Sequence, residues 1–449
     1  MGLANAPGIN MRTGMIRTPF LALLLASACG DERLQGWEGD APPNILFITV
    51  DTLRADALGL YGYKKPTSPE LDAFAKTATV FEQAMSSSSW TLPSFASLFT
   101  SYYSSTHKCW KIFSKLDESF ETLAEILTRH GFDTACFVSH TMLNPSQGMQ
   151  QGFVHFDDSY VDPGAGTQLR ISSEHISDSG VHFLQEKAAA QDGVPWMLWL
   201  HYFDPHSAYM PHEGITGTFL PETINPRLQE RGKYDGEIKY TDFHLGRVFQ
   251  ALEAQGLADD TIVVFVADHG EEFWEHGNTE HGSTLYNELV RVTLLIRIPG
   301  EEPRLVRQVI RTVDVMPTLL DYSRATIDFE IEGKSLRKLI EGQHLSLPPA
   351  LLEIQQSEKT MMKAIVREPW KLVHNISEKR FELYDLEADP GETNDLSAQH
   401  ADVVTELGRT LSTMVRQAEV HGRGYNASST EDVSPGQLEA LRGLGYIGE

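Results

Sequence analysis

Three clusters of acid and imidazole side chains carry the chemistry this sequence could do. The first is ADHGEEFWEHGNTEHG, residues 267–282, with Asp268 and His269 adjacent and His276 and His281 each followed by Gly. Mixed carboxylate and imidazole donors suit zinc or manganese, and a glycine-rich loop lets several of them turn inward. Not all three histidines need be ligands, and a His-rich polar loop is the plainer alternative. The second cluster, VDTLRAD at 50–56, offers Asp51 to a divalent metal and Arg54 to an anion, or simply a solvated carboxylate beside its Arg. The third, HYFDPH at 201–206, supplies His206 to a metal or a substrate oxygen. There Asp204-Pro205 marks a turn, and His201 reads as a packed residue behind the site.

A hydroxyl completes the set. In SSSSWTLPSFASLFTS, residues 86–101, Pro93 fits the first turn of a helix, and Phe95, Leu98 and Phe99 share one face. Thr91 lies at or just before that start, where Thr commonly caps. Coordination to a divalent metal would also lower its pKa and make it a nucleophile. The helix N-terminus adds positive potential for an anionic group. The two roles are compatible, and the reaction they suggest is attack of Thr91 on a phosphoryl or sulfuryl centre.

These residues must be held by buried elements. NILFITVD (44–51), VPWMLWLHYFDPH (194–206) and TIVVFVADHG (261–270) are apolar runs that give way at once to polar residues. Strands apolar on both faces belong to a parallel sheet covered by helices. Helical spacing over 118–131 and 239–256, each ending in Gly, supplies such helices. The expected fold is therefore α/β, a doubly wound, mostly parallel sheet, with a smaller C-terminal α+β subdomain. In open α/β sheets ligands bind beyond the carboxyl ends of the strands, which is where Asp51, Asp268 and His269 fall.

The remainder bounds organisation and partners. A formal charge of −25 over 449 residues argues against nucleic-acid binding. An anionic ester would meet repulsion unless cations line the site. Arg12 and Arg17 precede the apolar run 20–28 and Cys29, the pattern of a secretory leader of lipoprotein type, too short to span a bilayer. The expectation is an exported chain in a bacterial periplasm or cell envelope, anchored to the membrane by lipid on Cys29. A plain cleaved leader is the alternative. Residues 30–43 read as a linker, 44–344 as the catalytic domain, 345–433 as the C-terminal subdomain, and 434–449 as a tail helix. In an exported protein Cys109 and Cys136 could pair.

In their order along the chain, NILFITVDTLRAD, SWTLPSFASLFTS, HYFDPHSAY, YDGEIKYTDFHLGRVF, VADHGEEFWEHG, YNELVRVTLLIRIPG, VDVMPTLLD and ELYDLEADPGETNDL resemble the sulfatase-like branch of the alkaline phosphatase superfamily. The resemblance covers nearly the whole chain after the leader. It implies that Asp51, Asp268 and His269 bind a metal together with Thr91, and that His206 and Arg54 hold the substrate anion or orient the leaving group. His281 matches a metal-site histidine of phosphoethanolamine transferases in that superfamily, which would allow a second metal through His206 and His281. One or two ions are implied, zinc or manganese first, with calcium and magnesium also compatible.

The departures are specific. Sulfatases of the usual kind carry Cys or Ser, converted to formylglycine, in a C/S-x-P-x-R signature. Here Thr91 and Phe95 stand at the first and last of those positions, and Thr cannot give the aldehyde. Thr52 replaces a second acid, Gly282 a lysine, and His269 an Asn found in many sulfatases. These changes point to a formylglycine-free, Thr-nucleophile enzyme resembling the superfamily's phosphodiesterases and phosphotransferases. Its substrate would be an anionic small-molecule, lipid-headgroup or glycan ester. The rival readings are a sulfatase working without formylglycine and a non-catalytic surface lipoprotein.

Overall fold

The computed structural model describes residues 41–162, 167–168, 172–429, 438–439 and 441–442. The leader, Cys29 and most of the 30–43 linker lie outside the described residues, as does most of the 434–449 tail.

Eight strands form the central sheet: β1 (Asn44–Val50), β2 (Thr79–Met85), β3 (Asp133–Phe137), β4 (His155–Asp157), β5 (Trp196–Tyr202), β6 (Thr261–Ala267), β7 (Arg291–Arg297) and β8 (Leu305–Arg311). Their order across the sheet is β8-β2-β7-β6-β1-β5-β3-β4. Only β7 runs against its neighbours, so the sheet is mostly parallel as expected. Six of the seven β1 residues, and every residue of β5 and β6, are buried. Continuous apolar runs are what a sheet covered on both faces demands. Because β1, β5 and β6 are parallel neighbours in register, with Val50 level with Tyr202 and Ala267, Asp51, Phe203 and Asp268 leave the sheet at one edge.

The helices include α1 (Thr91–Thr100), α2 (Ser173–Ala190) and α3 (Pro226–Ala254). Helix α1 is buried along its whole length, with Phe95 and Phe99 packed on Trp199 of β5. Helix α3 begins at Pro226, well before the expected 239. Asn225 caps it through the amide of Arg227, and Pro sits in the first turn. Gly232 and Gly236 lower local helix propensity, yet a Cβ on either would meet the 216–220 segment at 2.9 and 2.8 Å. Close packing therefore overrides propensity.

The C-terminal subdomain is a four-stranded antiparallel sheet, β9 (Ala350–Ser357), β10 (Thr360–Arg367), β11 (Trp370–Asn375) and β12 (Arg380–Asp385). Helix α4 (Ala401–His421) covers it, burying Leu407 and Leu411 against Leu351, Ile365, Leu372 and Leu383. Cys109 and Cys136 do not pair. Cys136 lies within β3 and Cys109 sits with its Sγ 3.8 Å from the His107 carbonyl, both as buried free thiols. No helix among the described residues is long and apolar enough to cross a membrane.

Candidate metal centre and nucleophile

The carboxyl edge of β1 and β6, together with the start of α1, gathers four of the expected residues. One ligand-type atom each from Asp51, Asp268 and His269 lies within 4.8 Å of the others. His269 Nε2 is 3.6 Å from Asp51 Oδ1, 3.3 Å from Asp268 Oδ2 and 3.3 Å from Thr91 Oγ1. All four residues are buried. Trp90 occupies the N-cap position of α1, and Thr91 is the first helical residue. Its hydroxyl makes no capping bond and faces His269 instead, so the structure keeps its place at the helix start but not the capping role.

The donor set fits a divalent cation. Asp51 Oδ1 and Oδ2 and Asp268 Oδ2 are buried without a hydrogen-bond partner. His269 Nδ1 lies 2.9 Å from the Gly270 carbonyl, which can only accept, so that nitrogen carries the proton. Nε2 is then a lone pair aimed at two carboxylates and a hydroxyl. A lone pair and three carboxylate oxygens facing one another out of water are repulsive unless a cation joins them. Burial, then Asp268 and Glu271, push the Asp51 carboxyl well above the usual range. Burial raises Asp268 to about 8. Burial holds His269 well below the ordinary imidazole value.

His206 and His281 line the same chamber. Their rings are 4.9 Å apart, and His281 lies 4.5 Å from the His269 ring. His206 Nδ1 donates to the Ser207 carbonyl at 2.6 Å, and His281 Nδ1 to Glu271 Oε1 at 3.0 Å. Both Nε2 atoms therefore present lone pairs. Burial lowers His206 to about 3 and His281 to about 4. His201 keeps Nδ1 3.0 Å from Thr49 Oγ1 and its ring under Phe95, which stands where the resemblance leads one to expect Arg, while its Nε2 reaches the site, 3.6 Å from Asp51 Oδ2.

Arg54 is placed differently from the expected anion clamp. Its Nε and Nη2 bind the two carboxylate oxygens of Asp56, and Nη1 binds Glu275 Oε1 and the Glu271 carbonyl. Four of its five N–H groups are thereby engaged by the protein. His276 lies outside the chamber, between Glu288 and Glu392.

Two residues of the site were missed in the sequence. His140 follows β3 at the same sheet edge, a signal that the run DTACFVSH carries as plainly as its neighbours. The Met142 amide donates to His140 Nδ1 at 2.8 Å, which puts the proton on Nε2, 3.5 Å from Asp51 Oδ2. His140 thus enters the chamber as a donor, although it too lies within ligand distance of Asp51 and His206. Glu271, fully buried, accepts from His281 and from the Tyr209 hydroxyl at 3.2 Å. Burial raises it to about 7. The loop carrying His206 and Tyr209 is tied to α3 by Glu237, which accepts from the Met210 amide and pairs with His212 Nε2 at 2.6 Å.

The sulfatase family model matches residues 43–325, and the model described as N-sulphoglucosamine sulphohydrolase, C-terminal, matches 275–417. An arylsulfatase of Clostridium perfringens is 23% identical over 468 residues, covering 85% of this chain and 96% of its own. An N-acetylglucosamine-6-O-sulfatase of Bacteroides thetaiotaomicron is 22% identical, covering 89% and 90%. Among solved structures, a phosphonate monoester hydrolase of Agrobacterium radiobacter superposes with a TM-score of 0.71 at 21% identity, covering 84% of this chain and 96% of that one.

Proposed function

The chain belongs to the sulfatase family of sulfuric and phosphoric ester hydrolases, and from that premise we propose that it cleaves phosphate or sulfate esters with Thr91 as nucleophile at a divalent-metal site. The observation that carries the reading is the Thr91 hydroxyl, 3.3 Å from a His269 nitrogen whose lone pair is fixed by the Gly270 carbonyl. Asp51, Asp268, His269 and Thr91 would hold the cation. When bound, such an ion lowers the pKa of the hydroxyl and stabilises charge on the ester oxygens. Zinc or manganese suits this oxygen-and-imidazole set.

Thr91 Oγ1 passes its proton to solvent and forms a bond to phosphorus or sulfur in line with the departing oxygen, whose bond to that centre breaks and which takes up a proton from solvent. The product of this half-reaction is an ester on Thr91, which water or an acceptor hydroxyl then resolves. His140 Nε2–H, 3.5 Å from Asp51 Oδ2, would donate to an oxygen of the transferred group. His206 is oriented to accept at Nε2, through the bond its Nδ1 makes to Ser207. Aromatic packing of Phe95 on Trp199 and His201 keeps water from this side of the site.

A second reading of the metal count is favoured by one observation. Asp51, His140 and His206 each bring one ligand-type atom within 4.8 Å of the others, beside the Asp51, Asp268 and His269 group. A second cation would sit with Asp51 and His206 there, with the His281 ring 4.9 Å from that of His206. The substrate class follows from the family and its departures, an anionic small-molecule, lipid-headgroup or glycan ester, without formylglycine. Export and lipidation of Cys29 belong to the same proposal and rest on the leader pattern alone; mass spectrometry of the mature N-terminus reads them directly.

The test is a matched panel of nitrophenyl sulfate, phosphate, phenylphosphonate and phosphodiester substrates, run with metal content measured on the same preparation. The expected outcome is one or two zinc or manganese ions per chain and chelator-sensitive turnover of a phosphorus ester. Turnover confined to the sulfate ester would move the assignment to sulfuryl transfer. Undiminished turnover after complete metal removal would refute the metal site.

A further inference from the structure

His276 sits on the same loop as Glu271 and His281 but is turned toward the C-terminal subdomain. Its Nδ1 lies 2.6 Å from Glu288 Oε1 and its Nε2 lies 3.1 Å from the Glu392 carbonyl oxygen. Both partners are acceptors, so both ring nitrogens must carry protons for both bonds to exist. The ring stacks on Tyr286 with centroids 3.6 Å apart, and its own amide donates to Glu272 Oε1. On the C-terminal side, Glu392 is anchored in turn. Its Oε1 lies 2.8 Å from Lys371 Nζ, both side chains fully buried, and its Oε2 accepts from the Asn287 amide. Tyr286 reaches Glu382 of β12 at 2.9 Å. Groups facing the imidazole are thus Glu272 from its own loop, Glu288 and Tyr286 from the segment before β7, and Glu392 with Lys371 from the C-terminal sheet.

We propose that doubly protonated His276 is a latch that fastens the 271–282 loop to the C-terminal sheet, positioning Glu271 and His281, and that it opens in alkaline solution. The positional consequence rests on the reading of the chamber above; the latch itself does not. Burial opposes the charge on His276, but the hydrogen bond and charge of Glu288 outweigh it and raise the group to about 9. A folded-state value raised above the ordinary 6.5 means that the contribution is fully present below about pH 6.5 and is lost as pH rises through about 9. A neutral ring would turn one lone pair against an acceptor, and His276 would lose one of the two hydrogen bonds its ring makes.

Hydrogen exchange of the full chain read by mass spectrometry, with rates corrected for intrinsic exchange at each pH, tests this. Protection of peptides spanning 271–282 should fall roughly tenfold between about pH 7 and 10, while those from β1 and β6 hold. Glu288→Gln should move the midpoint down by about a unit or more, toward the ordinary imidazole value. His276→Phe, which keeps the ring on Tyr286, should remove the pH step. A wild-type profile without a step, a step that survives His276→Phe, or a midpoint unmoved in Glu288→Gln overturns the latch. Glu288→Gln keeps an acceptor and serves if the Phe variant fails to fold. No substrate or turnover enters this readout, so failure of the Thr91 reading and failure of the latch are told apart.

Discussion

Thr91→Ala is expected to abolish ester hydrolysis while leaving the fold and the bound metal largely intact. Thr91 makes no capping bond at the start of α1, and its side-chain partner is His269. Alanine is the best helix former and fills the buried position with little disturbance. Three ligands remain for the cation. Loss of the attacking hydroxyl is another matter, because no second hydroxyl occupies its place at His269 Nε2 among the described residues. The drop in kcat is expected to be roughly 10⁴-fold or more, the scale seen when a nucleophile is removed. Thr91→Ser, which keeps the hydroxyl, should retain part of the rate. Steady-state kinetics beside metal analysis checks this, and appreciable turnover in Thr91→Ala would remove Thr91 from the mechanism.

Asp51→Asn should have opposite effects on the metal-free and metal-loaded protein. Burial, with Asp268 and Glu271 close by, raises the Asp51 carboxyl in the fold well above its ordinary value of about 4. For an acid, a raised folded value is a cost to stability, absent below about pH 4 and growing as pH rises toward the folded value. At neutral pH the metal-free fold bears that cost, and an amide does not. An Asn amide can also donate to the His269 lone pair. The metal-free variant should therefore be more stable than the metal-free parent, by about 1–4 kcal/mol. Its affinity for zinc should fall by roughly 100-fold or more, since a charged ligand has become neutral. Denaturation with and without chelator, beside competition with a colorimetric chelator, measures both. A metal-free variant less stable than its parent would contradict the picture of crowded carboxylates that await a cation.

How far the sequence led can be traced residue by residue. Asp51, Asp268 and His269 were legible because each follows an uninterrupted apolar strand, and parallel topology carries such strand ends to one edge. Thr91 was legible as a helix start, but its choice of His269 over a cap depends on a partner 178 positions away. His276 and His281 look alike in sequence, each a His before a Gly. What separates them is their partners: His281 meets Glu271 of the same loop, whereas His276 meets the carbonyl of Glu392, 116 positions on. Arg54 was assigned to an anion because no local pattern shows that Glu275 would reach it. His140 was missed since β3 is short, five residues, and its run was not weighed as a strand. The early start of α3 was hidden by glycines whose purpose, close approach of the 216–220 segment, exists only in the folded chain.

The central claim is that Thr91 itself is esterified during turnover. Its most direct test is mass spectrometry of the peptide bearing Thr91, from enzyme quenched in acid while turning over an aryl phosphorus ester, run beside Thr91→Ala. The account predicts a phosphoryl group on Thr91 in the parent and no turnover in the variant. A phosphoryl group on another side chain, or continued turnover in the variant with the parent's Thr91 unmodified, would contradict it.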